Sequence, residues 1–259
     1  MIIDAHVHAG HSDALAHSWD SFEDINVSLR RMDRAGIDQA VVLPIGNTGM
    51  QQRNRELAEI VRAHPRRLHG FAKVSQAEDA GRVRPMLDEA FGDLGLLGLK
   101  LHGHPNREIM EAMDRHRGST VFDPEAQTRR ELAEVRPLLV DVAGSVYNLR
   151  YVAEGYPRVP IIVAHMGKFC CIDTGVRVMT MWLAKRYANV YFDTSTVMDH
   201  EALEMAVAEG LCHKMIFGSD SPGVHCGVEL ARIQQLDLTD EQRDLVLHAN
   251  IAGLIGIGQ

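Results

Sequence analysis

The chain has 259 residues, of which 46% are hydrophobic and 24% are charged, a length and composition typical of one α/β domain. The formal net charge of −8, without a visible basic patch, argues against a nucleic-acid partner, and no apolar run approaches the roughly 18 residues of a transmembrane helix. The first residues contain neither a basic region nor an apolar h-region, so no signal peptide is expected, and the four cysteines form no Cys-x-x-Cys pair. We therefore expect a cytoplasmic protein that acts on a small molecule, with neither nucleic acid nor membrane as a partner.

Short apolar runs alternate with longer amphipathic segments along the chain. Continuous runs such as Val41-Val42-Leu43 are typical of buried parallel strands, and apolar residues at three-to-four spacing predict the helices between them. The predicted strands after the first cover residues 39–45, 68–74, 96–101, 137–142, 159–164, 190–193 and 213–217. The predicted helices cover residues 22–34, 51–63, 82–94, 147–154, 176–187 and 201–209, and segments 227–235 and 241–252 close the chain. A further helix is predicted to begin at Asp123-Pro124, where proline fits a first turn.

Eight strand–helix units in alternation predict a parallel sheet with right-handed crossovers. A doubly wound sheet would normally have a glycine-rich phosphate loop after its first strand, and Gly10-His11-Ser12-Asp13 is not such a loop. The sequence has no internal boundary or linker. We therefore predict a single (β/α)8 TIM barrel that forms one domain over residues 1–259.

Two histidines, His6 and His8, end the first predicted strand and are separated only by Val7. Because side chains alternate along a strand, both imidazoles point to one face, and Asp4 lies on that face one step deeper. Neighbouring imidazoles can bind one transition-metal ion, although two unrelated histidines at a strand end would have the same spacing. The ends of the other strands help to decide between these alternatives.

Ionisable residues also follow several of the later apolar strands. Active sites of (β/α)8 barrels lie at the carboxyl ends of the strands, so these side chains are expected to meet. Charged groups are costly to bury unless they are paired or bind a metal, which favours one shared site. The residues are Lys100 and His102 after the fourth strand, Asp141 after the fifth, His165 after the sixth, Asp193 after the seventh and Asp220 after the eighth.

Four segments, in this order, resemble a known enzyme family. They are Ile2-Ile3-Asp4-Ala5-His6-Val7-His8, Gly98-Leu99-Lys100-Leu101-His102, Ile161-Ile162-Val163-Ala164-His165-Met166-Gly167 and Phe217-Gly218-Ser219-Asp220-Ser221-Pro222. The ordered set resembles the amidohydrolase superfamily, in the amidohydrolase 2 branch related to aminocarboxymuconate-semialdehyde decarboxylase. The resemblance spans nearly the whole chain and implies a (β/α)8 barrel with one divalent metal ion, often zinc.

The resemblance also implies roles for individual residues. His6 and His8 match the first-strand metal ligands. Asp220 matches the eighth-strand carboxylate that contacts both the metal and the attacking water, and His165 matches the sixth-strand histidine that acts as acid or base or polarises the substrate. Lys100, with His102 beyond it, is expected to lie on the substrate side of the site.

One position departs from the family pattern. The fifth strand usually ends in a histidine that ligates the metal, and in this chain Asp141 occupies that place. As a ligand, Asp141 would still bind zinc and would favour manganese somewhat more, because manganese suits carboxylate oxygens. Alternatively Asp141 contacts the ligands without binding the metal, and His165 or Lys100 takes the ligand position. In that case Lys100 could be a carboxylated lysine. A further alternative is that the protein has lost its metal.

The expected reaction is hydrolysis of an amide, lactone or related carbonyl bond of a small molecule by metal-activated water. A metal-dependent nonoxidative decarboxylase of an unsaturated or aromatic acid is the alternative within the family. A third hypothesis is a barrel that has kept the scaffold and lost the catalytic activity. The replacement of a family histidine by Asp141 supports this hypothesis, and the presence of the other site residues argues against it.

Several further residues have weaker interpretations. His104 is another candidate to reach the substrate, as are His11, His17 and Trp19 in the first loop. Asp193 is also compatible with a helix-capping turn, because Thr194 and Ser195 follow it. The segment Met179 to Leu183 predicts either a helix packed on the barrel or a homo-oligomer interface.

Overall fold

The computed structural model describes residues 1–13, 22–116 and 136–257, and its strands form one curled, nine-stranded sheet. The spatial order is β2-β1-β3-β4-β5-β6-β7-β8-β9, and every pairing except β1 with β2 is parallel. The strands are β1 (Ile3–His11), β2 (Phe22–Glu23), β3 (Gln39–Pro44), β4 (Leu68–Lys73), β5 (Gly98–His102), β6 (Leu138–Asp141), β7 (Ile161–Val163), β8 (Val190–Asp193) and β9 (Met215–Ile216).

Helices follow most strands, as expected for parallel strands that need long crossover connections. They are α1 (Ile25–Ala35), α2 (Met50–Ala63), α3 (Val83–Asp88), α4 (Arg107–Arg115), α5 (Leu149–Gly155), α6 (Thr174–Arg186), α7 (His200–Ala208), α8 (Cys226–Gln234), α9 (Asp240–Asp244) and α10 (Asn250–Ile255). Wider π-helical turns continue α3 over Glu89–Asp93 and join α9 to α10 over Leu245–Ala249. None of the helices in the described ranges is long and apolar enough to span a membrane.

Backbone hydrogen bonds join β1 to the segment that follows β9. The amides of Ala5 and His8 donate to the carbonyls of Phe217 (2.9 Å) and Ser221 (2.6 Å), and the amide of Asp220 donates to the carbonyl of His6 (2.7 Å). The first and last parallel strands of the sheet therefore lie side by side, which brings the carboxyl end of β1 next to Asp220.

Two apolar layers flank the strands. The larger layer packs outward-facing strand residues against the helices, and the smaller one fills the space inside the curled sheet. In β3, for example, Val42 belongs to the outer layer while Val41 and Leu43 belong to the inner one, as a strand period of two requires. Residues Ile251 and Leu254 of α10 pack into the inner layer.

All eight predicted strands are present and parallel, but several boundaries differ from the sequence predictions. The last strand is only Met215–Ile216, because Leu211–His213 forms a helical turn before it. The first helix begins at Ile25 and not directly after Ser21, since the side chain of Asp24 accepts a hydrogen bond from the amide of Asn26 (2.9 Å) and caps the helix. The helix predicted to begin at Asp123-Pro124, and the candidates His17 and Trp19, lie outside the described residues.

Strand β1 continues to His11 and contains an irregularity that the sequence did not predict. Between Asp4 and Val7 its register against β3 shifts, so that one extra residue is accommodated in β1. The antiparallel strand β2 pairs with the far end of β1 through Gly10 and His11.

Candidate metal centre and active-site cavity

A cavity of about 320 Å³ opens at the carboxyl ends of the parallel strands. This is the position that active sites occupy in α/β proteins of this kind. All seven residues that the sequence singled out as metal, catalytic or substrate-binding groups line it. The lining residues are His6, His8, Glu23, Ile45, Gly46, Asn47, Lys73, Lys100, His102, Asp141, His165, Phe169, Asp220, Pro222 and Gly223.

The two histidines of β1 converge with Asp220 on one side of this cavity. Nε2 of His8 lies 3.0 Å from Oδ1 of Asp220, and Nε2 of His6 lies 3.4 Å from the same oxygen. A tetrahedral zinc ion, with bonds of about 2.0–2.1 Å, holds its ligand atoms roughly 3.4 Å apart. Two imidazoles and a carboxylate at these separations therefore have the chemistry and the spacing of a divalent-metal site.

The segment that carries Asp220 is held against β1 by a buried carboxylate. Asp4 accepts hydrogen bonds from the amide (2.9 Å) and the hydroxyl (2.5 Å) of Ser219. Gly218 passes close to β1, and a Cβ atom at this position would lie 3.0 Å from Cβ of His6. Asp220 itself has a left-handed backbone, with φ 61°. These constraints fix the direction in which the Asp220 carboxylate points, and they explain why Asp4 supports the site without belonging to the ligand group.

A second carboxylate, Asp193 at the end of β8, orients both His6 and His165. Its Oδ2 lies 2.8 Å from Nδ1 of His6, and its Oδ1 accepts hydrogen bonds from the amide of His165 (2.7 Å) and the hydroxyl of Ser195 (2.6 Å). Because an ionised carboxylate only accepts, Nδ1 of His6 carries the proton and Nε2 presents its lone pair to the cavity. Asp193 therefore contacts both site histidines, and its Oδ1 also accepts a hydrogen bond from the amide of Ser195 (3.1 Å) in the turn that follows β8.

His165 is placed by a local backbone distortion after β7. Both His165 and Met166 have left-handed backbones, with φ 57° and 47°. Nδ1 of His165 lies 2.9 Å from the hydroxyl of Ser195, which donates its own proton to Asp193, so that Nδ1 is the donor in this contact. Nε2 faces the cavity and lies 4.0 Å from Oδ2 of Asp141.

Two buried lysines lie on neighbouring strands of the cavity wall. Nζ of Lys100 is 3.3 Å from Nε2 of His6. Lys73 ends β4 and pairs directly with Lys100 in the parallel ladder. Lys73 was missed by the sequence reasoning, although a lysine at the end of the apolar strand 68–74 is the same kind of signal that identified Lys100.

Asp141 and His102 also line the cavity, and their contacts do not identify a role in metal or substrate binding. Oδ1 of Asp141 accepts a hydrogen bond from the amide of Ala143 (2.9 Å), and Asp141 is not part of a metal-ligand group among the described residues. Nδ1 of His102 lies 3.0 Å from Oδ1 of Asn47 at the cavity wall. Their metal-binding and substrate-binding roles stay predictions.

His11 and His104, the other two histidine candidates in the described part of the chain, do not line the cavity. His11 pairs with Glu56 and stacks near the ring of Phe22. The buried ring nitrogens of His104 have no hydrogen-bond partner among the described residues.

The protonation states of the ligand group suit metal binding. Burial lowers the pKa of His8, and burial together with the charge of Lys100 lowers the pKa of His6 well below its ordinary value, so both are neutral at neutral pH. Burial raises the pKa of Asp220, but the hydrogen bond from His8, and the attraction of nearby histidines whenever they are protonated, outweigh it and lower the pKa below its usual range. Neutral imidazoles and an ionised carboxylate are the ligand forms that bind metals.

Comparisons with solved structures identify the same architecture. An amidohydrolase from Burkholderia multivorans with bound zinc has 14% sequence identity and a TM-score of 0.73, with 100% of each chain covered. A dihydroxybenzoic acid decarboxylase from Polaromonas with bound manganese and 2-nitroresorcinol has 15% identity and a TM-score of 0.70, covering 100% of this chain and 97% of the other. A probable 2-pyrone-4,6-dicarboxylic acid hydrolase from Acinetobacter baumannii with bound citric acid has 15% identity and a TM-score of 0.69, covering 99% of each.

At these identities the structural likeness establishes the fold and not the reaction. No curated protein matches the chain. A family model described as Amidohydrolase, for the amidohydrolase 2 family, matches residues 3–257. This match covers nearly the whole chain, and it agrees with the resemblance carried by the four strand-end motifs. The chain therefore belongs to the amidohydrolase 2 family.

Proposed function

We propose that the protein is a metal-dependent hydrolase that cleaves an amide, lactone or related carbonyl bond of a small molecule. The observation that carries this proposal is the convergence of His6, His8 and Asp220 at one end of a cavity large enough for a small substrate. The enzyme class is supported by the family match and by neighbours that are hydrolases and decarboxylases.

The scaffold for this function is proposed to be a closed (β/α)8 barrel. The hydrogen bonds from β1 to the segment after β9 support closure, because they continue the parallel pairing where an open sheet would have two free edges. Closure matters for function, since it brings residues from the two ends of the chain into the same ligand group.

One divalent ion is proposed to be held by His6, His8 and Asp220, with zinc as the first candidate and manganese as the second. The donor set suits both ions, and solved neighbours contain one or the other. We propose Asp141 as a further ligand. The alternative is that Asp141 orients His165, whose Nε2 lies 4.0 Å from it.

The chain's own residues then divide the chemistry between them. A divalent ion in such a site acts as a Lewis acid and lowers the pKa of bound water toward about 7. Asp220 orients the attacking water and accepts its proton. His165 exchanges protons with the substrate through Nε2, because Nδ1 is engaged by Ser195. Lys100 stabilises negative charge that develops on the carbonyl oxygen, and His102 contacts the substrate at the cavity wall.

A nonoxidative decarboxylase is the second candidate. The observation that favours it is the pair of buried lysines, Lys73 and Lys100, in the cavity wall, because ammonium groups attract the carboxylate of an acid substrate. In that reaction His165 or another strand-end group would deliver the proton that replaces carbon dioxide. The non-catalytic barrel, the cytoplasmic location and a homo-oligomer remain predictions of the sequence alone.

Replacing Asp220 with asparagine tests both candidate reactions. The wild-type protein is first screened for acid release from amides and lactones and for carbon dioxide release from unsaturated and aromatic acids. We expect Asp220→Asn to lower hydrolytic turnover by at least about 10²-fold, the scale of a lost acid–base group, when both proteins are assayed in saturating zinc because Asp220 is also a proposed ligand.

The matched control for this variant is Asp33→Asn, at an exposed aspartate that pairs with Arg67 far from the cavity and should keep full turnover. Wild-type turnover in Asp220→Asn would remove Asp220 from the catalytic role. Carbon dioxide release without any hydrolysis would select the decarboxylase.

A further inference from the structure

We infer that the cavity contains an anion-binding subsite at Lys73, separate from the metal ligands, and that the substrate carries a carboxylate in addition to its reacting group. This inference rests on the proposed function, since it takes the cavity to be the active site, and it deepens that function by naming the substrate class: a small molecule with an acidic group at one end and the reacting group at the other.

The first observation is the burial of two lysines on one wall. Lys73 and Lys100 are only 2% and 1% exposed, and both line the cavity. They are direct partners in the parallel pairing of β4 with β5, so their side chains leave the sheet on the same face. Two ammonium groups therefore share one small cavity, and each lowers the affinity of the cavity for further positive charge.

The second observation is that these ammonium groups serve different parts of the cavity. Lys100 reaches His6 and lies within the electrostatic influence of Asp141, Asp193 and Asp220, at the metal end. Lys73 turns the other way, because its Nζ donates a hydrogen bond to the carbonyl of Gly46 in the loop after β3. A group bound at Lys73 therefore lies against the wall formed by β4 and the loop after β3, whereas Lys100 faces His6.

The third observation is that the position of Lys73 is fixed. The side-chain amide of Asn54, on α2, donates to the carbonyl of Lys73 (3.0 Å) and accepts from its amide (2.8 Å). This pair of hydrogen bonds fixes the backbone of Lys73 at the carboxyl end of β4. Next to Lys73 on the cavity wall, Asn47 places its side-chain oxygen on His102, which leaves its amide nitrogen as a further donor for an anion.

The fourth observation concerns charge balance. Among the residues that the structure describes, no carboxylate forms an ion pair with Lys73, and Asp13 and Asp141 influence it only at longer range. Burial lowers the pKa of Lys73 to about 7, which reflects the cost of keeping this ammonium without a counter-charge. A substrate carboxylate supplies that counter-charge. It also accepts hydrogen bonds from the Nζ protons of Lys73 that do not point to the carbonyl of Gly46.

Dicarboxylic acids of different length and their monoamides test this subsite. The probes are malonate, succinate, glutarate and adipate, each compared with its own monoamide by titration calorimetry on the zinc-loaded protein at about pH 6.5. One carboxylate can occupy the metal end, so the second reports on Lys73. We expect at least one diacid to bind about 10-fold or more tighter than its monoamide, on the scale of a charge-assisted hydrogen bond.

Lys73→Gln keeps a donor for Gly46 but lacks the charge, and it should reduce this difference to less than about threefold. Lys214→Gln is the matched control, because Lys214 is also a buried lysine that donates to one backbone carbonyl, that of Ala188, but lies outside the cavity lining. It should keep the full difference. The comparison of diacids with monoamides in the wild-type protein requires no variant and tests the subsite even if Lys73→Gln does not fold.

Two results would overturn the inference. One is that no diacid binds tighter than its monoamide, and the other is that Lys73→Gln keeps the wild-type difference. Metal content, measured on the same samples, separates this failure from failure of the proposed function. A metal-loaded protein without diacid selectivity contradicts only the subsite, whereas a protein that takes up no metal and binds neither probe contradicts both.

Discussion

The side of the cavity built by β1, β8 and the segment after β9 differs from the side built by β4 in how its charges are balanced. On the first side the charged groups face one another: Asp193 orients His6, Asp4 holds the Asp220 segment, and Asp220 faces both histidines. On the second side Lys73 is buried with one backbone carbonyl as its hydrogen-bond partner.

This difference indicates which side is organised before a ligand arrives. Preorganised ligands favour metal binding, because no reorientation is needed when the ion enters. An ammonium that lacks a counter-charge destabilises the folded protein, and a ligand that supplies the charge removes that cost. The metal end is therefore expected to set the reaction and the Lys73 end to select the substrate.

The largest effect that we expect is a pH dependence of the free energy of unfolding, caused by Lys73. Its pKa is lowered from 10.5 to about 7 in the folded protein. Between these values the unfolded chain holds the proton and the folded chain does not, so the free energy of unfolding rises with pH across this window. At about 1.36 kcal/mol per pKa unit, the rise due to Lys73 is on the order of a few kcal/mol.

Urea unfolding at about pH 7.0 and about pH 9.5, two values within this window, measures the effect. The wild-type protein should gain stability relative to Lys73→Gln as the pH rises. Burial lowers the pKa of Lys214 to only about 8, so Lys214→Gln should produce a smaller change of the same sign. If the free energy of unfolding of Lys73→Gln has the same pH dependence as that of the wild type, the pKa of Lys73 is ordinary. The charge of Lys73 is then compensated like the charges on the other side of the cavity.

A smaller effect is expected on the preorganised side, at Asp193. Asp193→Asn keeps the size of the side chain but removes the charge that holds the proton on Nδ1 of His6. Loss of such an orienting group typically weakens metal affinity by about 10- to 100-fold, and we expect a loss in this range. Competition with a zinc-binding dye measures it, with Asp38→Asn, an exposed-site change near the start of β3, as the control. Unchanged affinity would show that His6 is not oriented by Asp193.

The sequence predicted the metal side of the site better than the substrate side. His6, His8 and Asp220 were recognisable because a period of two and an ionisable residue at a strand end follow directly from strand geometry. The role of Asp193 stayed open, since Thr194 and Ser195 suit a turn equally well. Only the fold shows that this carboxylate lies beside His6, 187 positions away in the chain.

Lys73 and the boundaries at the two ends of the sheet were harder to predict. A lysine at a strand end is usually a solvated residue, and only the pairing of β4 with β5 places Lys73 beside Lys100 inside the cavity. The two-residue strands β2 and β9 are too short to produce a periodic signal. The other seven parallel strands, in contrast, each contain an apolar run or a repeated pattern, and β9 was predicted only as part of the longer run 213–217.

The most direct test of the central claim, that His6, His8 and Asp220 form a metal centre, is the metal content of protein purified without a chelating column. We expect about one zinc or manganese ion per chain in the wild type, as in other sites of this kind. His69→Ala, at a histidine outside the cavity that bonds Gln39, should retain this content, and His8→Ala should lose most of it. Equal metal content in His8→Ala and the wild type, or a wild-type protein that neither contains metal nor gains activity from it, would contradict the account.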